Sequence, residues 1–176
     1  MRRCVWGEIV KSIKPILVIV TLIVIIIVIF SLMGKSQQMM VVYEGNTSKQ
    51  PVKMIRGKFQ GSECGMLIND LNFASQVVAP DGKTWFFDDH GCMAAWLSVR
   101  PFKDEAIIWV KDLPSDEWID GSHAWYSRTD LTPMSYGFGA YKTRREGLID
   151  FTTMQQAMLK GETMANLSFR NQLMEN

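Results

Sequence analysis

The sequence predicts an α+β protein in which a single N-terminal transmembrane helix is followed by a two-layer domain of two β-β-α modules. Three observations lead to this prediction: a long apolar block near the N-terminus, a pair of strand patterns joined by a tight turn, and a similar strand, turn and helix pattern later in the chain. A chain of 176 residues fits one domain of ordinary size plus an appendage. We divide it into a cytoplasmic N-terminus (1–14), a transmembrane helix (15–33), a linker (34–51) and an exported domain (52–176).

The apolar block covers residues 15–33, in which only Thr21 and Ser31 are polar. At a rise of 1.5 Å per residue it spans roughly 28 Å, which is close to the hydrocarbon thickness of a bilayer. A cleaved signal peptide is the alternative, but its apolar core is normally about 7 to 15 residues long and ends in a small-residue cleavage site. The block is longer than that and no A-x-A pattern follows it. We therefore expect an uncleaved anchor.

The charges beside the block predict its orientation. Positively charged flanks stay on the cytoplasmic side of a membrane, and the basic residues before the block are Arg2, Arg3, Lys11 and Lys14. We expect a single-pass protein of the inner membrane, with its N-terminus in the cytoplasm and its C-terminal domain in the periplasm or another extracytoplasmic space.

Two classes of function are disfavoured by composition and motif content. The net charge is only +1 and no stripe of Lys and Arg occurs, so we do not expect a nucleic-acid partner. The chain shows no nucleophile with an adjacent base, no phosphate-binding loop and no paired carboxylates at a suitable spacing, so we do not expect an enzyme. His90 follows Asp88 and Asp89, but helix capping explains these residues more simply than catalysis does.

The first β-β-α module is predicted just beyond the linker. Residues 73–79 alternate between apolar and polar side chains, residues 80–83 contain the Asp-Gly dipeptide favoured in hairpin turns, and residues 84–87 are aromatic and β-prone. Asp88 or Asp89 then caps a helix with an apolar face.

Further strands and a second helix follow. A strand is predicted at residues 106–110 and a short segment at 118–119, and a second pair of strands at 124–128 and 135–142, after which residues 148–149 lead into Asp150. Thr153 and Gln156 have the spacing of a capping box, and Gly161 lies at a natural helix end. This arrangement resembles the first module and suggests an internal repeat.

Two cysteines lie in the predicted exported domain. Cys64 and Cys92 are in a compartment that permits a disulfide, and such a bridge would stabilise the fold by on the order of 3 to 4 kcal/mol. Neither belongs to a C-x-x-C motif, so a thioredoxin-like redox site and a zinc knuckle are not indicated.

Sulfur donors form the most informative short motifs. Cys64 and Met66 are separated by Gly65, so in an extended chain a thiolate and a thioether point to the same side while the glycine allows a tight bend. Met134 follows Pro133 in a predicted loop between two strands. Soft thiolate and thioether ligands favour Cu(I) among the common biological metals, although core packing is the simpler role for either methionine.

Several motifs resemble, in order and spacing, those of the NosL family, the copper-binding accessory proteins of nitrous oxide reductase maturation. The resemblance covers roughly residues 64–158 and rests on Cys64-Gly65-Met66, Gln76-Val77-Val78, Asp81-Gly82-Lys83, Phe86-Phe87-Asp88-Asp89, Ala124-Trp125-Tyr126 and Pro133-Met134-Ser135-Tyr136-Gly137. It implies a membrane-tethered metallochaperone that binds Cu(I) and delivers it to nitrous oxide reductase or its assembly proteins. By motif, the family's metal ligands correspond to Cys64, Met66 and Met134.

The chain also departs from the family pattern. NosL-like proteins are typically held by an acylated cysteine, whereas this chain has no lipobox and is predicted to use a helix. Ser135 stands where the family usually has glycine. Cys92 and Met93 add two further sulfur atoms, whose candidate roles are an additional metal ligand, a relay position or, for Cys92, a disulfide to Cys64. His123 is another candidate ligand. The alternative function is a metal-free, membrane-anchored structural or assembly subunit with a Cys64–Cys92 disulfide.

Overall fold

A computed structural model of the protein describes residues 3–35 and 39–175, and within the first range it describes the side chains of residues 16–32. The chain forms two compact units, Met1–Gln38 and Met39–Asn176.

The first unit is the helix α1, Arg3–Lys35. Its described side chains from Ile16 to Leu32 are exposed, and nearly all of them are large and apolar. The hydroxyl of Thr21 donates to the carbonyl of Leu17 at 2.8 Å, which satisfies the polar group within the helix. In the part of the chain that the structure describes, no helix is long and apolar enough to cross a membrane. The predicted span over 15–33 is therefore not confirmed, and the side chains of the predicted cytoplasmic segment 1–14 lie outside the described residues.

The second unit contains a five-stranded antiparallel sheet with the strand order β1-β3-β2-β4-β5. Its strands are β1 (Val42–Tyr43), β2 (Ser75–Val78), β3 (Thr84–Phe87), β4 (Ile107–Lys111) and β5 (Trp118–Asp120). The predicted hairpin is confirmed as β2 and β3, and Gly82 in its turn has a φ of +86° that favours glycine. Because β1 pairs with β3, the folded unit starts at Met39, earlier than the predicted start at Val52.

A second antiparallel sheet has three short strands in the order β7-β6-β8. These are β6 (Trp125–Tyr126), β7 (Ala140–Tyr141) and β8 (Ile149–Asp150). The predicted strand over 135–142 is thus wrong over most of its length. A mixed set of hydrogen bonds is found there: the Ser127 amide donates to the carbonyl of Gly139 at 2.9 Å, and the Ser127 hydroxyl accepts from the amide of Gly139 at 3.0 Å and lies 2.9 Å from the carbonyl of Gly137.

Three helices complete the second unit: α2 (His90–Ser98), α3 (Phe151–Lys160) and α4 (Leu167–Glu175). The side chain of Asp89 caps α2 and the side chain of Asp150 caps α3. The predicted capping box at Thr153 is wrong, because the Thr153 amide donates to Asp150 and Thr153 lies inside the helix. Gly161 ends α3 in the left-handed conformation, as its position predicted.

One hydrophobic core joins both sheets to α2 and α3. The two helices pack against each other, and the side-chain amide of Gln155 donates through Nε2 to the backbone carbonyl of Ala94 at 3.0 Å. The fully buried core residues include Val77, Phe87, Met93, Tyr126, Ala140 and Met154. The α+β class is confirmed. Each predicted module contains its helix and paired strands, but the second has three strands rather than two.

His90, the first residue of α2, provides a test of this packing. Its ring is completely buried, lies 5.9 Å from the Tyr126 ring, and has no hydrogen-bond partner for either nitrogen among the described residues. Burial lowers the pKa of His90 to about 3, whereas a histidine in an unfolded chain titrates near 6.5. Below about pH 6.5 the unfolded state therefore binds a proton that the folded state does not, and stability is lost as the pH falls.

We expect the free energy of unfolding to decrease by roughly 2 kcal/mol between pH 7 and pH 5 through this group. A His90→Phe variant, which keeps an aromatic ring in the core, should lose most of that dependence in urea titrations at the two pH values. His123→Asn, a change at an exposed histidine, is the matched control and should retain it. Equal pH dependence in wild type and His90→Phe would contradict this account.

Candidate metal centre

Two adjacent aspartates precede α2, and their carboxylates accept hydrogen bonds from different parts of the chain. Asp89 is completely buried and accepts hydrogen bonds from the amide of Gly91 at 2.8 Å and from the amide of Met134 at 3.0 Å. Asp88 is 4% exposed and accepts the thiol of Cys64 at 3.2 Å between Oδ1 and Sγ. The pair therefore joins two distant segments of the chain to the start of one helix.

A tight turn positions Cys64. The amide of Gly65 donates to the carbonyl of Gly61 at 2.9 Å, and the amide of Gly61 donates to the carbonyl of Met66 at 2.8 Å. Gly61 provides the space for this thiol, because a Cβ at position 61 would lie only 2.7 Å from the Cys64 sulfur. The amide of Met66 points back and donates to that sulfur at 3.4 Å. The turn thus holds the thiol and offers it a donor that favours its ionised form.

The helix contributes a second thiol to the same place. Cys92 lies in the first turn of α2 and is 3% exposed. Its sulfur, the Cys64 sulfur and a carboxylate oxygen of Asp88 all lie within 4.8 Å of one another. Both cysteines are free thiols in the structure. We call these three residues the thiol–carboxylate cluster.

Burial and charge keep the thiols protonated. Burial raises the pKa of Cys64, and the carboxylate of Asp88 raises it further. Burial also raises the pKa of Cys92, with smaller effects from the charges of Asp89 and Asp88. Because the thiolate is the form that binds metals, a metal ion at this cluster has to displace protons, and its affinity should increase with pH.

The loop that carries Met134 covers this end of α2. Besides the bond from the Met134 amide to Asp89, the ring of Tyr136 lies against Gly91, where a Cβ would be only 2.5 Å from Tyr136 Cδ2. Burial raises the pKa of Tyr136, and the nearby carboxylates of Asp89 and Asp88 add to this effect. Tyr136 also packs against the hydrophobic core that includes Cys92.

The loop has an unusual backbone. Ser135 has a φ of +59° and Gly137 a φ of +95°. A Cβ at Gly137 would lie 2.4 Å from the carbonyl oxygen of Arg128, so only glycine fits there. Glycine is also the residue with the lowest strain at position 135, which gives a physical reason for the glycine usual at this position in the family that the sequence resembles.

The structure gathers some of the predicted site residues and separates others. Cys64 and Cys92 lie together, and Met134 is half-buried in the loop docked on Asp89. Met66 is 41% exposed, beside Cys64 in sequence. Met93 is fully buried in the hydrophobic core.

His123 is in a different environment. Its side chain is 85% exposed, its Nδ1 lies 2.9 Å from a carboxylate oxygen of Asp120, and it lines a groove with Trp109 and Trp118. Within the described residues it is not part of the thiol–carboxylate cluster.

Sequence reasoning missed Asp88 and Tyr136 as members of this region. The sequence predicts a cap at Asp88 or Asp89, and one helix needs only one capping carboxylate. The doubled aspartate was the available signal that the second had another partner. Nothing in the local pattern at Tyr136 indicates its contact with Gly91, because that contact links residues 45 positions apart, as does the Asp89–Met134 hydrogen bond.

A scan against protein-family models finds no match for this chain, and a search of curated proteins finds none either. The resemblance to the NosL family therefore rests on the sequence motifs alone.

Substituting Asp88→Asn should make Cys64 more reactive. The change removes the negative charge that raises the pKa of Cys64 and replaces the carboxylate acceptor with a weaker, neutral amide oxygen, so more thiolate is present at a given pH. We expect the rate of Cys64 alkylation at pH 8 to increase several-fold, measured by mass spectrometry of the modified peptide. Asp81→Asn in the hairpin turn is the control and should leave the rate unchanged. A Cys64 rate that is unchanged or lower in Asp88→Asn would refute the role of this carboxylate.

Substituting Gly91→Ala should uncover Cys92. The new methyl group would lie 2.5 Å from Tyr136 Cδ2, so the ring has to move away from α2. Alkylation of Cys92 should then become faster, and Tyr136→Ala should have the same effect. Tyr136→Phe keeps the ring and is the matched control that should protect Cys92 as wild type does. If all four proteins react at one rate, the ring does not shield the thiol.

Proposed function

We propose that this protein is a membrane-anchored Cu(I)-binding accessory protein, a metallochaperone that delivers copper to nitrous oxide reductase or its assembly proteins. The observation that carries the proposal is the meeting of the Cys64 turn and the Met134 loop at the start of α2, through Asp88 and Asp89. Three of the motifs that resemble the NosL family lie in those two segments and at the aspartates between them.

The proposed ligands are the thiolate of Cys64 and the thioethers of Met66 and Met134, with Cys92 as a further sulfur nearby. These soft donors suit Cu(I), which competes poorly for carboxylate and water. Cys64 is half-buried and Met66 is 41% exposed, so a metal ion can approach this pair from solvent. The deeper Cys92 is less accessible.

Transfer proceeds by ligand exchange in this proposal. Two or three sulfur ligands at the surface leave a coordination position that a ligand from the recipient can occupy before Cys64 or a thioether leaves. The exposed thioether of Met66 is the ligand most easily replaced, because it is neutral and reaches solvent. The role is therefore binding and transfer rather than catalysis.

Membrane attachment through residues 15–33 and a periplasmic C-terminal domain are parts of the same proposal. The described apolar side chains of α1 are exposed on every side of the helix, from 48% at Ile25 to 71% at Phe30. A helix that is hydrophobic all round is typical of a protein core or a membrane. Fractionation of cells that express the full chain, with carbonate and detergent extraction, tests this attachment.

A second candidate function is a metal-free structural or assembly subunit in which Cys64 and Cys92 form a disulfide. The observation that favours it is that the two sulfurs lie within 4.8 Å of each other, whereas a disulfide bond requires a separation of about 2.05 Å. Counting the thiols of protein purified without reductant separates the candidates, since a disulfide leaves neither cysteine reactive.

Titration of the reduced full-length protein with Cu(I) against a chromophoric chelator tests the copper proposal. We expect Cys64→Ser to abolish tight binding, because it removes the only anionic ligand of the proposed set. Met66→Leu and Met134→Leu should each weaken binding by roughly tenfold, about 1.4 kcal/mol, while keeping the side-chain volume. Cys92→Ser should retain most of the affinity. Full Cu(I) binding by Cys64→Ser would overturn the proposal.

A further inference from the structure

The thiol–carboxylate cluster has a donor set that differs from the proposed copper ligands. We propose that Cys64, Asp88 and Cys92 form a binding site for a divalent thiophilic cation of the Zn²⁺ class. This site shares Cys64 with the proposed Cu(I) ligands but does not require copper to be the cargo.

The geometry of the cluster fits a tetrahedral ion. With zinc–sulfur bonds of about 2.3 Å, two ligating sulfurs lie about 3.8 Å apart, and a sulfur and an oxygen lie slightly closer. The Cys64 sulfur and the Asp88 oxygen are already 3.2 Å apart, and no pair in the cluster exceeds 4.8 Å. Small rotations of these side chains are enough to place all three donors around one ion.

The donor types favour a divalent ion over Cu(I). Two thiolates and one carboxylate combine soft and hard donors, a mixture that zinc accepts and Cu(I) does not prefer. Three protein donors also leave a fourth tetrahedral position for water or an incoming ligand, which is the pattern of exchangeable zinc rather than of closed structural sites.

Charge and burial point to a cation at this place. Asp88 is 4% exposed, and its hydrogen bond from the Cys64 thiol is the one that it accepts among the described residues. None of the ion pairs in the described part of the chain involves Asp88 or its neighbour Asp89. A buried carboxylate without a cationic partner is costly. A divalent ion balances the carboxylate and two thiolates better than a monovalent ion does.

The surroundings hold the three donors in place. The Met66 amide donates to the Cys64 sulfur at 3.4 Å, and the cap at Asp89 fixes the start of the helix that carries Cys92. Such outer contacts orient ligands and affect metal affinity. The site is therefore formed by a turn, a strand end and a helix start that are each fixed by backbone hydrogen bonds.

Competition of the reduced full-length protein with a chromophoric zinc chelator tests the site, with Co²⁺ as a spectroscopic substitute for zinc. We expect one ion per chain, an intense thiolate-to-cobalt absorption and the d–d bands of tetrahedral coordination. Cys64→Ser, Cys92→Ser and Asp88→Asn should each lower the Zn²⁺ affinity by about tenfold or more. Met66→Leu, Met134→Leu and the turn control Asp81→Asn should leave Zn²⁺ affinity unchanged, because their side chains are not in the cluster.

The same variants separate this site from the copper proposal. Loss of Zn²⁺ binding but not Cu(I) binding in Cys92→Ser supports two overlapping sites. If Cys92→Ser binds Zn²⁺ as wild type does, the present inference is overturned while the copper proposal stands. If the protein does not bind Cu(I) but the variants change the Zn²⁺ affinity as expected, the copper proposal is overturned while the present inference stands.

Substitution of the buried Cys92 can impair folding. A measurement on the wild-type protein avoids this problem and tests the site independently. Zn²⁺ should protect both Cys64 and Cys92 from alkylation at one equivalent, whereas Mg²⁺, which prefers oxygen ligands, should protect neither. Protection of Cys64 without Cys92, or of neither, would overturn the assignment.

Discussion

The hydrogen bonds accepted by the two aspartates before α2 are the constraint on which the site depends. Asp89 binds the helix start and the Met134 amide, and Asp88 binds the Cys64 thiol. Segments that are 24 and 45 residues away in sequence are thereby fixed at one helix end. A helix N-terminus carries partial positive charge, which partly offsets the cost of burying two carboxylates there. Removing either carboxylate therefore affects loop position as well as local charge.

The burial of these groups links the folding stability of the protein to the proposed metal binding. Burial destabilises the charged forms of Cys64, Cys92 and Asp89 in the metal-free protein and so raises the pKa of each group. A cation that binds only the folded state stabilises that state by mass action. Two of these buried groups, Cys64 and Cys92, are donors in the proposed cation site. His90 differs from them, because its unpartnered ring is buried in the neutral form and no nearby charge contributes to its low pKa.

Local signals predicted local structure well and distant contacts poorly. The Asp-Gly turn after β2, the cap of α2 and the glycine at Gly161 each depend on a few neighbouring residues, and all three were predicted. The strand over 135–142 was wrong because the Ser127 hydroxyl, eight or more positions away, takes up the backbone groups of this segment. For the site, the motif at Cys64 was visible in sequence. Its proximity to Asp88 and Cys92 depends on how the turn packs against β3 and α2, which spacing alone does not determine.

The loop over the cluster is held in place despite an unfavourable backbone conformation. Ser135 occupies a left-handed conformation that costs a non-glycine residue on the order of 1 to 2 kcal/mol. The loop is nevertheless held by the Met134 amide bond to Asp89 and by the Tyr136 ring on Gly91. Both proposed cations need Cys64, so the two proposed sites exclude each other. The remaining donors come from different elements: Met134 is carried by this loop, whereas Cys92 is carried by α2. In the two proposals, the loop therefore contributes to the Cu(I) site and the helix contributes to the Zn²⁺ site.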